Sequence, residues 1–408
     1  MTLKRRQFLQ TSSAIATTLA VGLPLTSRAQ DPIKVASIHD LSGLFDLYGK
    51  PMEKAMQLAA EEINNSGGLA GRMVEIVTYD TQSQMPMYTQ FGQQAALKDR
   101  VSVVHGGILS ASREAIRPVL DRFQTLYFYN TQYEGGVCDR NIFCTGVTPA
   151  QSVEVLVPYA MEQWGKKVYT LAADYNYGQI ISKWVQKYVQ DNGGEVISTD
   201  FFPLDVADFG STIAKIQAAK PDFVMSALVG GAHLSFYRQW AAAGMKDKIP
   251  MASTTLGAGN EQQVLTPAEG DGILLAYNYS RELDTPANKA YLERWQAKFG
   301  SVDDIHELVT ATYQGMLLWA EGVRKAGSAD RMAVIEALES GISIQGPGGK
   351  ITVDPKTHHC VLDVHILEVK DQKMTVVQSF DQRPPTDTAA VCDLEANPND
   401  TTQYEIKV

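Results

Sequence analysis

The residues of this 408-residue chain best suited to chemistry gather between Val103 and Glu134, in the stretch VVHGGILSASREAIRPVLDRFQTLYFYNTQYE. Ser110 and Ser112 stand where a strand passes through Gly106 and Gly107 into a helix, so their hydroxyls and the free amides of the first helical turn can face a solute oxygen. Both also suit the capping of a helix expected from Arg113 to Phe123. Tyr129 and Thr131 alternate with their neighbours at the end of the next strand and share one side, turned either to a solute or to a covering helix. Gln132, Tyr133 and Glu134 follow, the last able to accept a hydrogen bond from a solute N–H. Farther on, Tyr175 and Tyr177 offer flat faces with hydroxyl tips. Gly230, beside Gly231, permits a close backbone approach. Groups of this kind recognise a small polar molecule by hydrogen bonds; they break no bond in it.

Patterns of catalysis are missing. There is no Gly-x-Ser-x-Gly elbow, no His-Glu-x-x-His, and no dinucleotide or P-loop fingerprint. The seven histidines, His39, His105, His233, His306, His358, His359 and His365, are scattered rather than set beside a nucleophile. A zinc site at His358-His359-Cys360 would lack a second spaced ligand pair. The expectation is a binding protein that is not an enzyme and needs no cofactor.

Such groups need a frame to hold them. Ile33–Ile38 reads as a strand, and Lys50–Ser66 as a helix with Met52, Ala55, Met56, Ala59, Ala60 and Ile63 on one face, stopped by Gly67-Gly68. Strand Arg72–Tyr79, helix Met87–Asp99 and strand Val101–His105 follow. This alternation is the mark of a parallel sheet wrapped by helices. It puts the loops Gly106–Ser112 and Tyr129–Glu134 at the carboxyl ends of neighbouring strands, where open α/β sheets hold ligands. The pattern restarts after Pro149, with strands Lys167–Ala173, Glu195–Phe202, Phe223–Leu228, Pro250–Ser253 and Gly272–Ala276 among helices Pro158–Trp164, Ile180–Asn192, Phe209–Ala219 and His233–Ala243. Helices Pro286–Phe299 and Glu307–Ala326 have no strand between them and are expected back on the first sheet. Cys360–Val369 and Lys373–Ser379 then form an antiparallel pair. The fold expected is α/β with two lobes, each a mostly parallel sheet flanked by helices. Residues 30–148 plus 280–345 make one lobe and 149–279 plus 346–408 the other, joined by three crossings near Thr148, Tyr279 and Gln345.

Residues 1–29 stand apart. Lys4-Arg5-Arg6-Gln7-Phe8-Leu9-Gln10, then the apolar run Ala14–Leu25 and the small-residue site Ser27-Arg28-Ala29, read as a twin-arginine export signal cut after Ala29. Its removal takes Lys4, Arg5, Arg6 and Arg28 and no acid, so 36 basic residues become 32 against 46 acidic ones, a formal charge of −14. That balance excludes a nucleic-acid footprint. No later run reaches the ~20 apolar residues of a membrane span. In an oxidising compartment the four cysteines are expected to be bridged, Cys138 with Cys144 and Cys360 with Cys392, among three connectivities that sequence allows.

Four segments, Gly106–Arg113, Tyr129–Gly135, Asp174–Tyr177 and Leu228–Gly231, together with Asp284–Ala287, resemble the periplasmic solute-binding proteins of ABC transporters with the type I, leucine/isoleucine/valine-binding-like fold. Within that family they look most like the urea and short-chain amide branch, and the likeness spans essentially the whole mature chain. The resemblance implies a periplasmic protein that captures its solute by hinge closure and docks on an inner-membrane permease. It also implies that Ser110, Tyr129, Thr131, Tyr175 and Tyr177 touch the solute. Ile108 stands where the family usually has an aromatic residue, and Asn130 where it has proline, so selectivity is expected to lie there. A neutral amide or urea could be held by Ser110, Thr131 and the tyrosines without burying charge. A guanidine-type or cationic solute would need Asp174, Glu134 or Glu261 beside aromatic faces. Branched-chain amino acids, or a periplasmic sensor of the same fold, are the other readings.

Overall fold

The computed structural model describes residues 31–406, so the expected export signal lies outside the described residues. Strands and helices alternate from the start: β1 (Ile33–His39), α1 (Asp46–Asn65), β2 (Val74–Asp80), α2 (Met85–Gln94), β3 (Val103–Gly106), α3 (Ser110–Arg122) and β4 (Leu126–Tyr129). Two short strands, β5 (Val137–Asp139) and β6 (Ile142–Cys144), follow. The first sheet is parallel throughout, in the order β2-β1-β3-β4-β6. Helices cover both faces of its central strands, so β3 and β4 are buried at every residue and are largely apolar, His105 being the polar exception that finds a partner in Asn130.

The second sheet is built from α4 (Val153–Trp164), β7 (Lys167–Ala173), α5 (Asn176–Asp191), β8 (Glu195–Phe202), α6 (Gly210–Ala219), β9 (Phe223–Ala227), α7 (Gly231–Ala242), β10 (Met251–Ser253), α8 (Pro267–Gly270) and β11 (Leu274–Tyr277). The chain then returns to the first lobe as α9 (Pro286–Phe299), α10 (Glu307–Ala326) and α11 (Arg331–Leu338), with α10 packed along α1. It crosses again into β12 (Ser343–Gly346), β13 (Gly349–Val353), β14 (Cys360–Lys370) and β15 (Lys373–Arg383). Here the order is β12-β13-β14-β11-β10-β9-β7-β8, with β15 on β14. The pairs from β8 to β11 are parallel and the later ones antiparallel. The molecule is therefore the two-lobed α/β fold expected, each lobe a sheet flanked by helices.

Several local expectations shift. α3 begins at Ser110, not Arg113, so Ser110 and Ser112 lie inside its first turn and Leu109 precedes it without a side-chain cap. α5 begins at Asn176, which moves Tyr177 from a loop onto a helix. α4 starts five residues before Pro158, whose missing N–H would ordinarily cost about 3 kcal/mol in a helix. Burial of Val153, Val155, Leu156 and Val157 offsets it.

The cysteine pairing differs from the expectation. Cys138 is bonded to Cys392, while Cys144 and Cys360 are free and buried. The reason is topological: a last strand, β16 (Thr401–Gln403), returns to pair with β5, so Cys138 faces the tail. Cys144 instead ends β6 in the first sheet, bridged to His359, with Cys360 the next residue.

Candidate functional site: the cleft between the lobes

In the first sheet the strand order reverses between β1 and β3, and in the second between β7 and β9. At such switch points the connections leave in opposite directions and open a crevice at the carboxyl ends of the strands. The two crevices face each other. Between them is a cavity of about 50 Å³, a few times the room one water molecule needs. From the first lobe it is lined by Phe45 and Tyr48 after β1, Ile108, Leu109 and Ser110 after β3, and Thr131 and Gln132 after β4. The second lobe contributes Tyr175, Tyr177, Val229, Thr255 and Ala258, and α10 adds Leu308. A larger recess of about 390 Å³ beside Trp164 and Trp240 sits at the amino ends of β10 and β11, where Met251 and Leu274 begin them. Strands of this kind do not present ligand-binding loops at that end.

Ser110 leads α3 and lines the cavity, and as a first-turn residue its amide has no intrahelical acceptor. Its hydroxyl proton is already committed: Ser110 donates to Glu134 Oε2, and Glu134 Oε1 accepts from Arg113 Nη2 at 2.9 Å. All three residues are buried, and the Arg113 guanidinium lies over the rings of Tyr129 and Tyr133, 5.1 and 4.5 Å from their centres. Thr131 Oγ1 likewise donates inward, to the Gly107 carbonyl at 3.3 Å. Both hydroxyl oxygens therefore turn lone pairs, not protons, to the cavity, and can accept from a solute N–H. Gly107 makes this geometry possible: at φ +81° it occupies a region that favours glycine, and a Cβ there would crowd the Tyr127 and Ser112 oxygens.

Across the cleft, Tyr177 donates to Thr254 Oγ1 at 3.0 Å, and its ring lies 6.1 Å from that of Tyr175. Burial raises both phenols above their ordinary range, so they remain protonated donors. Among the described residues, several hydrogen bonds join the lobes around this space, including Asn260 Nδ2 to the Ile305 carbonyl at 3.0 Å. Gln132 Nε2 donates to the Thr254 carbonyl at 2.9 Å, Trp184 Nε1 to the Glu134 carbonyl at 3.0 Å, and the Tyr48 hydroxyl to Glu261.

Of the residues expected at the site, Ile108, Ser110, Thr131, Gln132, Tyr175 and Tyr177 come together on the cavity wall. Four do not line it. Tyr129 is buried behind the wall, its hydroxyl donating to the Ile108 carbonyl at 2.8 Å. Ser112 is used locally, donating to the Leu109 carbonyl at 2.7 Å and accepting from the Ile108 amide at 3.1 Å. Glu134 stands behind Ser110. Gly230 precedes α7 at φ +73°, and its neighbour Val229 takes the wall position. Asn130 is fully buried too, hydrogen-bonded to His105 and Thr145. Phe45, Tyr48, Thr255 and Ala258 were missed, although the strand-end rule applied to β1 and β10 would have found them. Leu308 begins a helix with no preceding strand and carries no such signal.

A family model described as periplasmic binding protein matches residues 32–373. The leucine-, isoleucine-, valine-, threonine-, and alanine-binding protein of Pseudomonas aeruginosa is 27% identical over 355 residues, covering 85% of this chain and 92% of that protein. Leu/Ile/Val-binding protein homolog 6 of Brucella melitensis is 24% identical over 364 residues, covering 86% and 92%. Among solved structures, an ABC-transporter solute-binding protein of Rhodopseudomonas palustris in complex with p-hydroxybenzoic acid superposes with a TM-score of 0.80 at 24% identity, covering 88% of this chain and 100% of that one. The closed conformation of a Brucella ovis protein named for the same five amino acids as the Pseudomonas one gives 0.77 at 20% identity, covering 86% and 96%. These relatives are named for amino acids or an aromatic acid, not for urea or an amide. The chain belongs to the periplasmic binding protein family, as a non-enzymatic binding protein with the two-lobed α/β fold of solved solute-binding proteins.

Proposed function

We propose that the cleft captures an aliphatic α-amino acid, closes over it, and presents the closed form to an inner-membrane permease. The observation that carries this reading is the make-up of the wall. Phe45, Ile108, Leu109, Val229, Ala258 and Leu308 give the wall a large apolar share, beside the polar Ser110, Thr131, Gln132 and Thr255 and three tyrosines. An apolar side chain is desolvated by the first group, at about 25 cal/mol per Å² buried, while the second fixes the polar head. Lone pairs on Ser110 and Thr131 suit N–H donors, and the open amides of α3 suit a carboxylate. Named relatives that bind branched-chain amino acids add support. In this reading the ligand contacts are Ser110, Thr131, Gln132, Tyr175, Tyr177 and Ile108. Tyr129 and Glu134 support them from behind. Export through the twin-arginine signal and a periplasmic location complete it.

A second reading, urea or a short-chain amide, is favoured by the small cavity and by acceptors that suit N–H groups. Calorimetric titration with leucine, isoleucine, valine, p-hydroxybenzoate, acetamide and urea separates the two. Heat from the branched-chain amino acids supports the first. Heat from acetamide or urea alone would replace it with the second, and silence from all six would remove both.

A further inference from the structure

One buried carboxyl beside the cleft has no part in the arrangement above. Glu307, the first residue of α10, is fully shielded, yet neither of its carboxyl oxygens meets a hydrogen-bond partner among the described residues. Glu307 is not itself on the cavity wall, but its neighbours in the chain bring it next to the cavity. Leu308, the next residue, lines the wall, and the charge of Glu307 acts on Tyr177, another wall residue, and on Tyr277 of β11. His306, on its other side, is equally buried with both ring nitrogens unpartnered, and its ring meets that of cavity-lining Tyr48 edge-on at 6.4 Å. Buried carboxyls are ordinarily hydrogen-bonded or paired, and each exception asks for an explanation.

We propose that Glu307 accepts the hydrogen bonds of the solute's protonated amine and so selects amines over neutral amides. This rests on the solute-capture reading of the cleft. Burial alone pushes the Glu307 carboxyl up to about 8. The titratable groups facing it do not change charge near neutrality: burial raises Tyr177 and Tyr277 and lowers His306 to about 3. In the unliganded protein at neutral pH the carboxyl thus carries its proton. Binding R–NH3⁺ stabilises the carboxylate, and that proton leaves to solvent, one per solute; a neutral amide has no such step.

The test uses the whole protein and two probes of the same carbon skeleton, L-leucine and 4-methylpentanoate, which lacks the amine. Titrations at pH 6, 7 and 8 are expected to show leucine affinity rising up to about tenfold per pH unit. Glu307→Gln, the isostere of the protonated acid, is expected to flatten that dependence and weaken leucine at least tenfold at pH 8, with 4-methylpentanoate spared. A leucine affinity unchanged by the substitution, or independent of pH, overturns the inference while leaving capture intact. Leucine silent while acetamide binds overturns it too, and silence from leucine, 4-methylpentanoate and acetamide together overturns the capture reading itself. A ligand-free check is available. Wild type should lose melting temperature relative to Glu307→Gln as pH rises from about 4.5 to about 8, because the unfolded chain ionises first. Coincident profiles would count against a buried, unpartnered Glu307.

Discussion

Ser110 and Glu134 show how two polar residues in contact come to do different work. Ser110 faces the cavity and Glu134 stands behind it, held by Arg113. Ser110→Ala removes one acceptor from the wall and leaves the ion pair in place. Solute affinity should fall by about 1–2 kcal/mol, roughly 5- to 30-fold, with the unliganded melting temperature nearly unchanged. Glu134→Ala leaves the buried Arg113 with Glu114 and Gln403 but without its fully buried partner, and should cost up to about 3 kcal/mol of stability. Guanidinium melts of the two variants check this, since a large stability loss in Ser110→Ala would mean that its role is structural. Sequence pointed to the serine that lines the cavity because a Gly-rich strand-to-helix turn advertises open amides. It did not separate Tyr129 from Thr131: both sit at the end of one strand, and which wall they reach depends on where Arg113 packs.

At the scale of elements, α3 and α5 carry the two walls, and their exact starts decide which side chains reach the space between. Both begin earlier than hydrophobic periodicity suggests, because first-turn residues at a cavity mouth are polar and leave no apolar stripe to read. Some of the bonds that tie the lobes run from a side chain of one to the backbone of the other, as where Trp184 of α5 donates to the Glu134 carbonyl. Trp184→Phe keeps the ring and drops that bond. It should favour the open form by about 1 kcal/mol and weaken solute binding about fivefold. Small-angle scattering should then show less compaction at a given solute concentration than in wild type; identical curves would show that this bond does not hold the lobes together.

For the molecule as a whole, pH and the tail matter most. Burial holds His39, His105, His306 and His359 at about 3, against an ordinary value of 6.5. Below about 6.5 the unfolded chain takes up protons that the folded one refuses, so stability present above that pH is lost as it falls toward 3. The melting temperature should therefore drop steeply on acidification, four histidines outweighing the opposite trend of Glu307. A flat profile between pH 6.5 and 4 would contradict their burial. The Cys138–Cys392 bond closes a span of 254 residues and pins the tail whose Gln403 accepts from Arg113 at 2.8 Å. Cys392→Ser should cost about 2–5 kcal/mol, and peptide mapping under non-reducing conditions should find Cys144 and Cys360 as thiols.

Alternating strand and helix signals and glycine stops determine the two-lobed α/β fold and the strand ends that carry the cleft. Those features are local, or repeat along the chain, so they survive without coordinates. Tertiary structure alone decided that Cys138 meets Cys392, that the hydroxyls of Ser110 and Thr131 donate inward and leave lone pairs toward the cavity, and that Glu307 stands buried near it with no partner among the described residues. Each depends on contacts between segments far apart in sequence, and no spacing along one strand or helix encodes which distant group will arrive beside it.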